Sequence, residues 1–190
     1  ALEYIHSKNI IHRDIKPENL VFDNQGYIYV TDFGISRVFR LGNSTDTSGT
    51  PGYMSPEVMF RTDHSFVSDY YAVGIIMYEF VVGMVSWVLI ERPFKGKDRQ
   101  EIREALRESQ IMLIPDDLQN AVSPEYVDIT NKLILKSPNE RLGANGADEI
   151  KQHPFFDGFD WESLENMTAI PPYKPKVHLN YGRSQKISTT

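Results

Sequence analysis

The chain has 190 residues, 41% of them hydrophobic and 12% aromatic, enough to bury one sizeable core and to exclude a disordered chain. It has no cysteine, which excludes disulfides and thiolate metal sites and fits a reducing compartment, with the cytoplasm the default and the nucleus open. A formal charge of -6 argues against a nucleic-acid partner and favours cationic ones.

In chain order, "ALEYIHSK" has helical spacing and ends before Asn9. It offers neither a basic n-region nor an apolar h-region, so no secretory signal is expected, and the missing initiator Met points to a piece of a longer protein. "LVFD" and "YIYVTD" follow as two short strands separated by "DNQG", where Gly26 can supply the positive φ of a tight hairpin. Residues 70–90 form an apolar run whose only charge is Glu79. A hydropathy window reads it as a membrane span, but a carboxylate in lipid costs about 3 kcal/mol, and an all-round apolar helix also suits the centre of a helical domain. Asp98 with Glu101, and Ser123 with Pro124, mark two further helix starts. "DEIKQHPFF" ends another short helix before Pro154. The last twenty residues carry Lys174, Lys176, Arg183 and Lys186 with no acid, so the tail is basic, the body acidic, and the end is expected to be extended and poorly packed.

Neither G-x-x-x-x-G-K-[ST] nor G-x-G-x-x-G occurs, and the five histidines are scattered, so neither a glycine-rich phosphate cradle nor a histidine metal site is expected. Asp14, Asn19 and Asp32 lie on loops flanking the hairpin, and two carboxylates with an amide oxygen can converge on a hard cation such as Mg²⁺. Asp and Asn are also common turn residues and caps, which is the plainer alternative.

The series H-R-D-x-x-x-x-N, D-F-G and "SPE" resembles the signature set of the eukaryotic protein kinases. The resemblance spans residues 1–175 and corresponds to the C-terminal lobe alone. It implies a mainly α fold, with helices around a buried central one and a small β-hairpin at the active site. The expected division is a partial kinase domain over 1–156 and a C-terminal extension over 157–190. It further implies that Asp14 is the catalytic base, Lys16 contacts the transferred phosphate, and Asn19 and Asp32 hold Mg²⁺, with ATP as phosphate donor. Lys16 and Thr50 of "GTPGY" resemble the Ser/Thr-specific branch, with Thr50 beside the substrate. His12, Phe33 and Gly34 are expected to keep the two loops in register. Glu57 is expected to pair with Arg141, and Asp69 to bind the backbone of the H-R-D loop.

Arg13 is expected to meet a phosphate on the activation segment, where family spacing puts Asp46 at the usual phosphosite and Thr45 and Thr47 on either side; Thr47 is the expected regulatory site, with ordering by the Asp46 carboxylate as the alternative. An upstream kinase is a possible partner there. The close "HPFFDGFDWESL" resembles the AGC group, the relatives of the cyclic-nucleotide-dependent kinases, in which acids matching Glu18 and Glu79 bind basic residues N-terminal to the phosphoacceptor. Two departures stand out. The N-terminal lobe has no counterpart in these residues, so this polypeptide alone is expected to be inactive, and "MVSWVLIE" after Gly83 lengthens a connection that is short in the family. A pseudokinase or scaffold lobe and a membrane-anchored protein are the competing readings.

Overall fold

The computed structural model describes residues 1–85, 98–114 and 121–176. Among them run seven α-helices: α1 Leu2–Ser7, α2 Pro56–Met59, α3 Val67–Val85, α4 Arg99–Glu108, α5 Pro124–Leu133, α6 Ala147–Lys151 and α7 Trp161–Glu165. Four short strands accompany them: β1 Ile10–Ile11, β2 Leu20–Phe22, β3 Ile28–Val30 and β4 Arg37–Val38. The capping chemistry is local and forms as its residues dictate. Asp98 accepts from the backbone N–H groups of Gln100 and Glu101, and Ser123 from that of Tyr126 with Pro124 leading α5.

The single hairpin expected from the sequence pattern is one of two antiparallel pairs. β2 and β3 pair with Leu20 opposite Val30 and Phe22 opposite Ile28, turning through Gly26 at φ 102°. β1 and β4 form the second pair, Ile10 opposite Val38 and Ile11 opposite Arg37. Two-residue strands leave no alternation to read, so long-range closure alone defines this pair.

α3 is the axis of the core. Tyr71, Ile75 and Ile76 are buried on it, and Ile15, Met54, Met59, Leu106 and Ile134 pack around them. At Gly74 an added Cβ would lie 2.7 Å from both Leu133 Cβ and Ile134 Cγ2, so α3 and the end of α5 approach as closely as backbone permits. Polar groups on α3 are buried as well, Ser68, Asp69 and Glu79 among them. No helix among the described residues is long and apolar enough to cross a membrane. The rest of the apolar run, and with it "SWVLIE", lies outside the described residues.

The Glu57 carboxylate of α2 receives Nη1 and Nη2 of Arg141 at 2.7 and 2.9 Å and the Ser68 hydroxyl at 2.8 Å. Arg141 spends its other N–H groups on the carbonyls of Leu135, Lys136 and Val67 and lies 4.8 Å from the Tyr71 ring centroid. A buried ion pair is tolerable only when its remaining hydrogen-bonding capacity is met in this way.

Over residues 157–176 the chain is mostly exposed, with Ile170 at 91%. It is nevertheless fastened at defined points. Trp161 stacks near Phe156 and Phe159, the Tyr27 hydroxyl donates to the Ala169 carbonyl at 2.7 Å, and Tyr173 meets the Phe22 ring at 5.5 Å. Residues 177–190, including Arg183 and Lys186, lie outside the described residues.

Two outcomes are expected of the core. Gly74→Ala destabilises the chain by about 1 to 3 kcal/mol through overpacking, measured by urea unfolding; an unchanged midpoint would disprove the close approach. Removal of Glu57 leaves Arg141 buried and unpaired, so Glu57→Ala costs about 3 to 5 kcal/mol. Burial pushes the Glu57 carboxyl up, but the hydrogen bonds and charge of Arg141 outweigh it and hold the pKa below the ordinary 4.5. The stabilisation is therefore complete above pH 4.5 and is lost as pH falls from there through the lowered native value, a loss that Glu57→Ala should not display.

Candidate active site

The loop after β1 is shaped by one buried side chain. Asp69, at the start of α3 and 1% exposed, accepts the backbone N–H of His12 at 2.9 Å and of Arg13 at 2.8 Å, and lies 2.8 Å from His6 Nε2. Arg13 adopts φ 71°, a left-handed conformation that costs free energy for a side-chain-bearing residue and persists only where its surroundings impose it. Asp69 supplies that constraint, and Asp14 follows directly.

The Asp14 carboxylate is the meeting point of the site. Its Oδ1 accepts the backbone N–H of Thr50 at 2.9 Å and the Thr50 hydroxyl at 2.7 Å. Its Oδ2 accepts Lys16 Nζ at 2.7 Å and Asn19 Nδ2 at 3.2 Å. Lys16 also donates to Thr50 Oγ1 at 2.9 Å, closing a triangle of charge-assisted bonds. Burial raises the Asp14 pKa, yet the bonds from Lys16 and Thr50 more than offset it, so the group titrates below the ordinary carboxylate value. At neutral pH it is ionised, oriented and able to accept a proton.

Asn19 is buried in the 3-10 turn Pro17–Asn19. Its amide nitrogen binds the Asp14 carbonyl at 2.8 Å, and its own carbonyl receives both the N–H and the hydroxyl of Thr31. That pairing sets the start of the second loop, where Asp32 takes φ 61° and accepts the Gly34 N–H at 3.2 Å. A Cβ at Gly34 would stand 3.1 Å from Asp32 Oδ1, so a side chain there would crowd the carboxylate. His12 joins the loops: Nε2 lies 3.0 Å from the Thr31 carbonyl, Nδ1 accepts the Asp14 N–H at 3.3 Å, and the ring meets Phe33 edge-on at 5.0 Å.

The three residues expected to converge are thus not equally close. Asp14 and Asn19 touch, whereas Asp32 shares no hydrogen bond with either, and no group of three or more His, Asp or Glu side chains placed to hold a metal occurs among the described residues. The donors are nonetheless all oxygen: the Asp32 carboxylate is exposed, and Asn19 Oδ1 accepts no hydrogen bond among the described residues. Such a set suits a hard cation, Mg²⁺ above all.

Asp46 lies between two arginines, 3.9 Å from Arg13 Nη1 and 3.3 Å from Arg40 Nη2. Arg13 is fixed by its Nε bond to the Ile35 carbonyl at 2.7 Å. Thr45 is exposed, and Thr47 is held through its backbone carbonyl by Arg99 at 3.1 Å, so neither threonine occupies the arginine cluster. The two acids expected at the substrate differ sharply. Glu18 is exposed, while Glu79 is buried and accepts the Tyr53 hydroxyl at 2.7 Å. His6 and Thr31 have positions here that no motif marks, since each acts through a contact at least 12 residues away, and Arg40 joins Asp46 from outside the motifs.

Residues 1–156 match the family of the protein kinase domain. A probable serine/threonine-protein kinase of Dictyostelium discoideum is 38% identical over 179 residues, covering 93% of this chain and 37% of that protein. A cGMP-dependent protein kinase, isozyme 2, of Drosophila melanogaster is 37% identical over 181 residues, covering 93% of this chain and 18% of its own length. Protein kinase C delta type of Mus musculus is 35% identical over 179 residues, again with 93% of this chain and 24% of the relative covered. The chain spans well under half the length of the curated relatives it matches. With the H-R-D and D-F-G loops held in one hydrogen-bonded frame and the family match running over most of its length, this chain belongs to the protein kinase domain family.

Proposed function

We propose that this chain is the catalytic C-terminal lobe of an AGC-like serine/threonine kinase, which moves the γ-phosphate of ATP to Ser or Thr hydroxyls of protein substrates. The observation that carries the reading is the Asp14 carboxylate, kept ionised and aimed by Lys16, Thr50 and Asn19. Such a group can accept the proton of an acceptor alcohol while Lys16 neutralises charge on the phosphoryl oxygens. Thr50, on the same triangle, restricts where that alcohol can sit. Asn19 and Asp32 would hold Mg²⁺, which when bound neutralises phosphate charge. Positioning and electrostatics then carry most of the rate enhancement. The absence of cysteine fits the cytoplasm or nucleus as the place of action.

The activation segment takes its negative charge from Asp46. Its place between Arg13 and Arg40 supports this over Thr47 as the regulatory position, although a carboxylate has less charge and fewer acceptors than a phosphate. Glu18 is available at the surface to a basic residue of the substrate. Glu79 contributes through Tyr53, which lines the space beside Asp14 and Thr50. Because no G-x-G-x-x-G loop occurs in these residues, phosphotransfer needs the partner lobe that grips the nucleotide.

Three measurements on the protein extended by its upstream coding sequence test this. Asp14→Asn should lower kcat by about 10²- to 10⁴-fold with little change in peptide KM, and wild-type turnover no greater than that of the variant would favour the scaffold reading. Peptides of the form Arg-Arg-x-Ser should be phosphorylated faster than acidic or proline-directed ones, with Glu18→Gln narrowing the gap; equal rates on all three would remove the basic preference. Asp46→Asn should reduce activity while phosphatase treatment of the wild type leaves it unchanged, and the reverse pattern would assign the role to a phosphorylated Thr45 or Thr47.

A further inference from the structure

α4 carries Arg99, Arg103 and Arg107 at four-residue intervals, so the three cations share one face. Glu104 and Glu108 share another. Each charged pair spaced four apart on this helix is like-signed: Arg99 with Arg103, Arg103 with Arg107, and Glu104 with Glu108. Such pairs weaken a helix, and alternating the signs would strengthen it. The stripe starts at the activation segment, where Arg99 holds the Thr47 carbonyl at 3.1 Å, and ends in a cleft.

Phe60, Arg103, Leu106, Arg107 and Lys136 enclose that cleft, with a volume of about 280 Å³. The guanidinium carbons of Arg103 and Arg107 lie 5.6 and 5.5 Å from the Phe60 ring centroid, which pins both side chains against one wall. Lys136 Nζ donates to the Arg107 carbonyl at 3.3 Å and so stands beside them. None of the ion pairs among the described residues uses Arg103, Arg107 or Lys136. Arg103 Nε is buried with no acceptor among the described residues. Three uncompensated cations around one concavity, in a chain of net charge -6, amount to a half-built anion site.

We propose that this cleft binds the phosphate of a phosphorylated serine or threonine on a protein partner. A phosphate dianion offers three oxygens to two guanidinium forks and an ammonium, where a carboxylate offers two oxygens and half the charge. The cleft is concave and its walls are apolar at Phe60 and Leu106, which suits a side chain entering from a peptide. A flat anionic bilayer meets a poorer fit and the repulsion of an acidic body. Arg99 and Thr47 place the far end of the stripe on the activation segment, so a peptide seated here runs toward the substrate entrance.

The test uses the full chain without ATP, so its outcome is independent of phosphotransfer. A fluorescent phosphoserine peptide with uncharged flanks, its unphosphorylated twin, and vesicles containing phosphatidylserine are titrated in turn. The phosphopeptide is expected to bind saturably and more weakly as salt rises, and the twin not to bind. Arg107→Gln and Lys136→Gln should each weaken binding about tenfold, the loss of one charged hydrogen bond. The melting midpoint of Arg107→Gln should shift little, because relief of a like-charge pair offsets the lost Phe60 contact, whereas a merely structural arginine would lower it and leave affinity untouched. Equal affinity for both peptides, no binding of either, variants that bind like the wild type, or binding of vesicles without the phosphopeptide would each overturn the proposal.

Discussion

One buried carboxylate sets the geometry on which the rest depends. Asp69 projects from the start of α3, the axis of the core, and compensates its own desolvation by accepting two successive backbone N–H groups and facing His6. Those two bonds hold Arg13 in a left-handed conformation that its own side chain disfavours. The reversal at Arg13 points its guanidinium toward Asp46 and delivers Asp14 to Lys16 and Thr50. Core and site are therefore one construction: the packing of α3 against α5, tightened at Gly74, fixes the anchor from which the H-R-D loop hangs.

The activation segment is gripped unevenly. Its far end is locked by Glu57 and Arg141 at 2.7 Å, in a setting where every N–H of the guanidinium has an acceptor. Its middle is held by Asp46, 3.3 Å from the exposed Arg40 Nη2 and 3.9 Å from an Arg13 Nη1 that is buried without a hydrogen bond among the described residues. The first contact is a structural commitment that only unfolding would break. The second is a longer-range attraction, weaker per contact and sensitive to screening, which is the property needed where charge is to tune order.

Features governed by neighbours in sequence were readable from it. The caps at Asp98 and Ser123 and the turn at Gly26 follow from the hydrogen bonds those residues can make locally. What needed the folded chain were contacts between distant segments. The β1–β4 pair is two residues long, α2 is a single turn, and Gly74 looks like any helical glycine until Leu133 and Ile134 are set against it. In the site, the residue types around Asp14 were legible from the motif, but the two hydrogen bonds from Thr50, 36 residues away, were not. Nor was the separation of Asp32 from Asp14, or the burial of Glu79 against Tyr53, since pattern gives order along the chain and not which way a carboxylate faces.

The fastening of the β2–β3 turn by the far C-terminal stretch bears on how the molecule is made. At Gly26 the space that a Cβ would take is filled by the Tyr173 carbonyl, and Tyr27 reaches Ala169, 142 positions further along the chain. During synthesis, which proceeds from the N-terminus, this latch has no counterpart until the stretch around residues 169–173 has followed the turn off the ribosome. The strip bearing Asn19 and Asp32 therefore emerges well before its clamp, so a chain lacking residues 169–173 would hold the H-R-D and D-F-G loops in a frame with one side open.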